Sequence, residues 1–470
     1  MPRDIPWMTA AELSARYKDK SLSPVEVTTV LLDRIDKYNP ELNAFCVVDR
    51  ETSLAQARAS EERWQRGEPL GSLDGVPTAI KDIILTKGWA TLRGSQTVDE
   101  NQMWDEDAPC VARLKEHGAV MIGKTTTPEF GWKGATDSLR HGITRNPWNA
   151  DKTPGGSSGG ASAALAAGLC PLAIGTDGGG SIRIPAGFTG TFGIKPSFGR
   201  VPAYPISPFG TVAHVGPMTR TVEDTAMFLS VIAEGDARDW YSMSADGRDY
   251  TCGLNDGIKG KRIAFSPRLG YVNKIDPEVE ALVVNAVKRL EELGAIVELV
   301  DPGFDDPTEI FKTLWWSGAY FALGQLPEKK LDMLEPGLRE IVDEGRKFSL
   351  QDYLAASKAR EELGTHVRCF MEDYDYIITP TLAVPAFDVG LISPAGYDRD
   401  RWLDWTPFSY PFNLTQQPAC SINCGFTGDN LPVGLQIVGR MHSDFEVLQA
   451  AQAFESIEPA ALVRPPAYNN

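Results

Sequence analysis

Five short apolar runs, spaced along the chain, constrain the fold more than any other feature of the sequence. "VPTAI" at 76–80, "AVMI" at 119–122, "PLAIGT" at 171–176, "RIAF" at 262–265 and "YIITP" at 376–380 are long enough for buried strands and too short for helices. Helical patterns lie between them. In 279–290, Val279, Val283, Ala286, Val287 and Leu290 mark one helical face. The first 70 residues also read as helical: Thr9 with Glu12 forms a capping-box pattern, and Ser23 stands before Pro24 as an N-cap stands before a first-turn proline. Strand and helix in alternation imply an α/β architecture with helices covering a sheet. Residues 235–258 and 300–410 are the least periodic and are read as excursions from one large domain spanning 1–470.

A chain of 470 residues with 42% hydrophobic and 23% charged residues can bury a sizeable core. Its net charge of −17 argues against a phosphate-neutralising surface, so no nucleic-acid partner is expected. The opening "MPRDIPWMTAAEL" has acidic residues and no apolar centre, which does not read as a secretory signal. No uninterrupted apolar stretch reaches the roughly 18 residues of a membrane span. A cytoplasmic location is the expectation. Seven scattered cysteines fit reduced, mostly buried thiols, and Cys420 with Cys424 is the only close pair, without a histidine to complete a zinc site. No metal is expected.

Three motifs offer chemistry. "GAVMIGKT" at 118–125 has the letters of a phosphate-binding loop, which raises a nucleotide-binding protein as a rival from another class. Yet Val120, Met121 and Ile122 would themselves form the strand, and Pro128 follows where a helix should begin. "TPGGSSGGASAALAAG" at 153–168 reads as a turn capped by Ser158 before an alanine-rich helix. Its "GGSSG" also spells a nucleophile elbow, but a loop precedes it, and His214, His366 and His442 sit in unrelated contexts. "GTDGGGSIR" at 175–183 places Ser181 behind three glycines with no histidine nearby. A base must come from elsewhere. Lys81 ends an apolar run, where burial lowers a lysine's pKa and lets the neutral amine accept a proton. Pairing with Asp82, or snorkelling to solvent, is the alternative fate of that lysine.

Taken together, "GVPTAIKD" at 75–82, "PGGSSGGASAALAAG" at 154–168 and "GTDGGGSIRIPAGFTGTFGIKP" at 175–196 resemble the defining segments of the amidase signature family. "RNPWN" at 145–149, "VGPMTRTVEDTA" at 215–226 and "FNLTQQPACSINCGFTGDNLPVGLQIVGR" at 412–440 are similar too. The resemblance is strong over about 75–230 and 374–450. It implies a central mixed sheet covered by helices on both faces, and a catalytic triad of Ser181 as nucleophile, Ser157 as proton relay after a cis peptide bond, and Lys81 as base. It further implies an oxyanion hole from the backbone of Gly178, Gly179, Gly180 and Ser181, with Gly131 nearby, and support from Ser158, Asp177 and Arg183. No metal or organic cofactor is implied. A homodimer is the oligomer it suggests.

The resemblance leaves the amide open. Trp315, Trp316, Tyr320, Phe321, Trp402, Trp405, Phe408 and Tyr410 cluster in the variable region and suit either an apolar pocket or core packing. Gly131, Trp132, Trp316 and Trp405 are taken as substrate-binding candidates, for a small hydrophobic or aryl amide or anilide. The rival within the family is the glutaminase-type subunit of a tRNA-dependent amidotransferase. "FGWKG" at 130–134 and Gly178 depart from that subunit's pattern.

Overall fold

The computed structural model describes residues 4–397 and 401–469, and, of Pro459 and Ala461, the backbone alone. Thirteen strands form: β1 (Phe45–Val48), β2 (Pro77–Lys81), β3 (Val120–Thr125), β4 (Asp137–Ser138), β5 (Gly142–Ile143), β6 (Leu172–Asp177), β7 (Phe192–Lys195), β8 (His214–Thr219), β9 (Arg262–Phe265), β10 (Ile296–Leu299), β11 (Tyr376–Pro380), β12 (Ala419–Phe426) and β13 (Pro432–Gly439). Eleven of them make one sheet in the order β1-β3-β2-β6-β8-β7-β12-β13-β11-β9-β10, while β4 and β5 pair separately. All five apolar runs are strands of this sheet.

The sheet is mixed. β2 runs parallel to β3 and β6, and β9 runs parallel to β10 and β11, whereas the central β6-β8-β7-β12-β13 block is antiparallel. Successive residues of a strand point to opposite faces, and every residue of β2, β3, β11 and β13 is buried, so both faces are covered. The two edge strands β1 and β10 are the more exposed ones.

Local signals place the helices. Thr9 and Ser23 each cap a helix in a full capping box, with Glu12 and Glu26 reaching back, and Pro24 opens the second of these helices. The 279–290 face lies inside the helix Pro277–Glu292, whose five patterned residues are all buried. Within 118–125, Gly123, Lys124 and Thr125 continue β3, and only a single 3-10 turn, Glu129–Gly131, follows. No phosphate-cradling loop exists there.

The 300–410 stretch is far from irregular: it holds the helices Thr308–Leu323, Glu328–Leu331, Pro336–Gly345 and Leu350–Phe370. Its first helix buries Phe311, Leu314, Trp315 and Trp316 around much of its circumference, which erases the polar face that would have revealed its period. No helix among the described residues is long and apolar enough to cross a membrane.

Candidate active site

Because β2 and β6 are parallel neighbours, with Ile80 opposite Ile174, their C-terminal ends reach the same edge of the sheet. Lys81 is the last residue of β2, and Thr176 and Asp177 end β6. The turn carrying Ser157 and Ser158 precedes the helix Gly159–Ala166 and packs against this edge, with a cis peptide bond between Gly156 and Ser157. Ser181 lies in the short turn between β6 and the helix Arg183–Thr189. The N–H of Ser158 donates to the carbonyl of Ser181 at 3.1 Å, which ties the two turns together.

Lys81 is fully buried among hydroxyls. Its Nζ lies 2.7 Å from Ser157 Oγ, 2.9 Å from Ser158 Oγ and 2.8 Å from Thr176 Oγ1. Burial pushes its pKa well below the ordinary lysine value, with Asp177 acting weakly in the other direction. Once uncharged, such an amine has a lone pair to fill. The Ser158 hydroxyl is committed as donor to the Thr176 carbonyl at 3.2 Å, so the hydrogen must come from Ser157 or Thr176. Both of these hydroxyl residues line a cavity of about 340 Å³ that also exposes Ser181. No hydrogen bond joins the Ser181 hydroxyl to Ser157 among the described residues. The arrangement can draw a proton from the cavity to a buried amine through one hydroxyl.

The sequence profile described as Amidase matches residues 26–448. The chain belongs to the amidase signature family. It is 37% identical to an acylamidase of Rhodococcus erythropolis over 98% of both chains. It is 35% identical to a glutamyl-tRNA(Gln) amidotransferase subunit of Carboxydothermus hydrogenoformans, over 98% of this chain and 99% of that protein. A solved bacterial aryl acylamidase of the amidase signature family superposes with a TM-score of 0.90 at 31% identity, covering 98% of this chain and 99% of that one. The chain is thus an amidase-family hydrolase acting on carbon–nitrogen bonds.

In this amidase the turn carrying Ser181 is held by a buried ion pair. Arg183 Nε and Nη2 each donate to Asp177 at 3.0 Å, both side chains being fully buried. The remaining guanidinium hydrogens go to the Ser409 carbonyl, Gln436 and Asn413 at 2.9, 2.7 and 2.6 Å. Burial alone would raise the Asp177 pKa, but Arg183 overrides it and holds the carboxyl well below the usual range. The same carboxylate accepts from the amides of Gly180 and Ile182 at 2.7 and 3.2 Å.

That contact corrects one expectation. The Gly180 N–H, grouped with the oxyanion donors, is already taken by Asp177, whereas the amides of Gly179 and Ser181 make no hydrogen bond to protein among the described residues. Gly178 and Ser181 face the cavity. A Cβ at Gly179 would lie 2.7 Å from both Phe311 Cζ and Trp402 Cη2, so only glycine lets those rings cover the turn. Gly131, with φ +70, lines the cavity, and a Cβ there would come within 3.1 Å of Ser157 Oγ.

Ser158 occupies the N-cap position of its helix, but its side chain does not cap; it is spent on Lys81 and Thr176. Three of the substrate-binding candidates are core residues. The indole N–H of Trp132 donates to Glu335 at 2.9 Å, that of Trp316 to Glu344 at 2.7 Å, and that of Trp405 to the Ile392 carbonyl at 3.0 Å. Each ring is at most 1% exposed and none lines the cavity. Trp315 lines it instead, stacked on Phe209 with 3.9 Å between centroids.

The rest of the wall escaped the sequence reading. Phe130, Val201 and Phe209 make it apolar, and residues 197–210 supply a large share of it. Lys81, Ser157 and Ser181 fall within 81–183, as do Arg93 and Phe130 of the wall, while much of the rest of it comes from 197–215, 239–241 and 315–323. His214, also in the wall, points its Nδ1 at the carbonyls of Val212 and Asp177, 2.8 and 3.2 Å away, and burial pushes its pKa well down. It is a neutral wall residue.

Cys46, Asp82 and His141 bring three ligand-type atoms within 4.8 Å of one another. The ammonium of Lys124 stands 3.3 Å from Asp82 and already supplies the positive charge there.

Proposed function

We propose that this amidase cleaves a small hydrophobic or aryl carboxamide or anilide through an acyl-enzyme on Ser181. Neutral Lys81 takes a proton from Ser157 as Ser157 takes one from Ser181, whose oxygen attacks the amide carbon. The developing oxyanion is received by backbone N–H groups of the glycine turn, among which Gly179 and Ser181 have free hydrogens. The proton returns through Ser157 to the departing nitrogen. Water then attacks the acyl carbon, and the acid leaves. The single observation that carries this reading is the buried Lys81 amine 2.7 Å from the Ser157 hydroxyl, beside the cavity that Ser181 enters. The apolar wall of Phe130, Val201, Phe209 and Trp315 supports a hydrophobic substrate, as does the similarity to acylamidases.

The similarity to an amidotransferase component favours a second reading, a glutaminase working within a larger complex. The stacked rings of Phe209 and Trp315 in the wall suit an aryl body better than the short aliphatic chain of glutamine. One experiment separates the readings. The purified chain is labelled with a fluorophosphonate beside its Ser181→Ala variant, and release of aniline or ammonia is followed from acetanilide, benzamide and glutamine. Labelling that needs Ser181, with anilide or benzamide turnover exceeding that of glutamine, is the expected result. Glutamine as the best substrate overturns the hydrophobic assignment, and absence of Ser181 labelling overturns the mechanism.

A further inference from the structure

Arg93 is the odd residue of the cavity. It lines the same space as Ser157 and Ser181, yet its guanidinium has no hydrogen-bond or ion-pair partner among the described residues. Asp239 is the other charged side chain of the wall, and it is already engaged, accepting the amides of Ala203 and Tyr241 at 2.9 and 2.8 Å.

The backbone around Arg93 is built to hold it there. Its φ of 55° is left-handed, a region that residues with side chains rarely adopt. Asp82, next to the lysine base, fixes the turn: its carbonyl accepts the Arg93 N–H at 3.0 Å, and its carboxylate accepts the amides of Leu92 and Gly94 at 3.2 and 3.4 Å. The Arg93 carbonyl accepts the Phe130 N–H at 2.7 Å, and Phe130 precedes the Gly131 that abuts Ser157. The carboxylate of Asp82 is itself balanced by Lys124 at 3.3 Å and His141 at 3.4 Å. The amides of Leu92, Arg93 and Gly94 and the carbonyls of Leu92 and Arg93 are all used, while the cationic head is left over. Burial lowers the Arg93 pKa, the direction that marks a charge held away from water. A second donor is spare as well: the indole N–H of Trp315, in the same wall, is buried without a partner.

An apolar cavity with unpaired donors is a site lacking an acceptor. We propose that Arg93 binds a carboxylate on the non-reacting end of the substrate, so that the preferred amides join an aryl or alkyl body to a terminal acid. Guanidinium and carboxylate match in a two-hydrogen-bond fork, and a charge-assisted bond inside an apolar wall is stronger than its counterpart in water. This inference rests on the amide-hydrolase reading and narrows its substrate.

The test pairs anilides of succinic, glutaric, adipic and pimelic acids with alkyl anilides of matching length, assayed on wild type, Arg93→Met and Arg93→Lys. For at least one length, wild type should favour the acid over its alkyl partner in kcat/KM by on the order of tenfold to a hundredfold. The ratio should fall to about one in Arg93→Met and survive in part in Arg93→Lys, because only the second keeps the charge. A wild type with no preference for the acid at any length, or a preference that persists in Arg93→Met, overturns the proposal. Melting temperature and fluorophosphonate labelling establish that each variant is folded. Calorimetry with phenylacetate through 6-phenylhexanoate on Ser181→Ala, with and without Arg93→Met, reads the same site without turnover. Arg93-dependent binding there alongside no amide cleavage would refute the hydrolase reading alone, and no binding by any member would refute the anion site alone.

Discussion

Lys81 Nζ and Ser157 Oγ lie 2.7 Å apart in a pocket of hydroxyls, and no carboxylate among the described residues is in contact with the amine. A base built this way needs a partner that reaches the cavity, and Ser157 and Thr176 both do. Replacing Lys81 with Met or Ser157 with Ala is expected to lower kcat about 100- to 10,000-fold, the usual span for a lost proton-transfer group. Thr176→Val should cost less than about tenfold, since the Ser157 route stays intact. Steady-state kinetics on one anilide decides it; equal losses at Ser157 and Thr176 would refute a single relay.

Burial of Lys81 predicts a pH dependence of stability. Its folded pKa lies well below the ordinary value of 10.5, so between those two pKa values the unfolded chain holds a proton that the folded chain lacks. Stability therefore rises with pH across that window. Lys81→Met lacks this contribution. The stability of wild type minus that of Lys81→Met should climb by up to about 1.4 kcal/mol per pH unit and level off above the unfolded lysine pKa. Urea unfolding of both proteins over a pH series measures it; a flat or falling difference contradicts a neutral buried lysine. Turnover should rise with pH through the same folded pKa.

Asp177→Ala removes the counter-charge of a fully buried Arg183. Leaving that charge alone should cost about 3–5 kcal/mol. The midpoint of denaturant unfolding reports it. Adding Arg183→Met to the variant should recover part of the loss, because no lone charge then stays buried; no recovery would mean the network stabilises through packing.

Trp315 and Trp405 should behave differently despite their common type. Trp405, stacked on Phe188 at 5.6 Å and sealed in the core, should cost about 3–5 kcal/mol of stability as Ala. Trp315 lines the cavity, so Trp315→Ala should raise KM for an anilide roughly tenfold, as loss of apolar substrate contact does. Melting curves and KM values for both variants check the contrast.

Much of this arrangement was legible beforehand, for physical reasons. Short apolar runs bounded by turns are the right length for buried strands, and all five form them; Thr9 and Ser23 cap helices because their side chains satisfy orphan amides at fixed spacing. Ser181 stood out behind its three glycines, whereas Lys81 and Ser157 joined it through the resemblance to the amidase signature family, and the fold brings all three to one sheet edge. The wall was not legible. Trp315 and Trp316 are adjacent in sequence, but one turns to the cavity and the other to Glu344, a difference set by how the helix Thr308–Leu323 docks. Thr176 had a faint signal, a hydroxyl ending the strand before "DGGGS". Arg93 had none, because nothing local distinguishes an unpaired arginine from a solvated one.

Residues 81–183 hold the proposed reacting groups and part of the wall, Arg93 and Phe130 included, while later segments enclose the rest of the cavity, a layout with an evolutionary consequence. Mutations in the later segments can retailor which molecules are admitted while the bond-breaking atoms keep their spacing. A lineage inheriting this layout can diversify its diet one loop at a time.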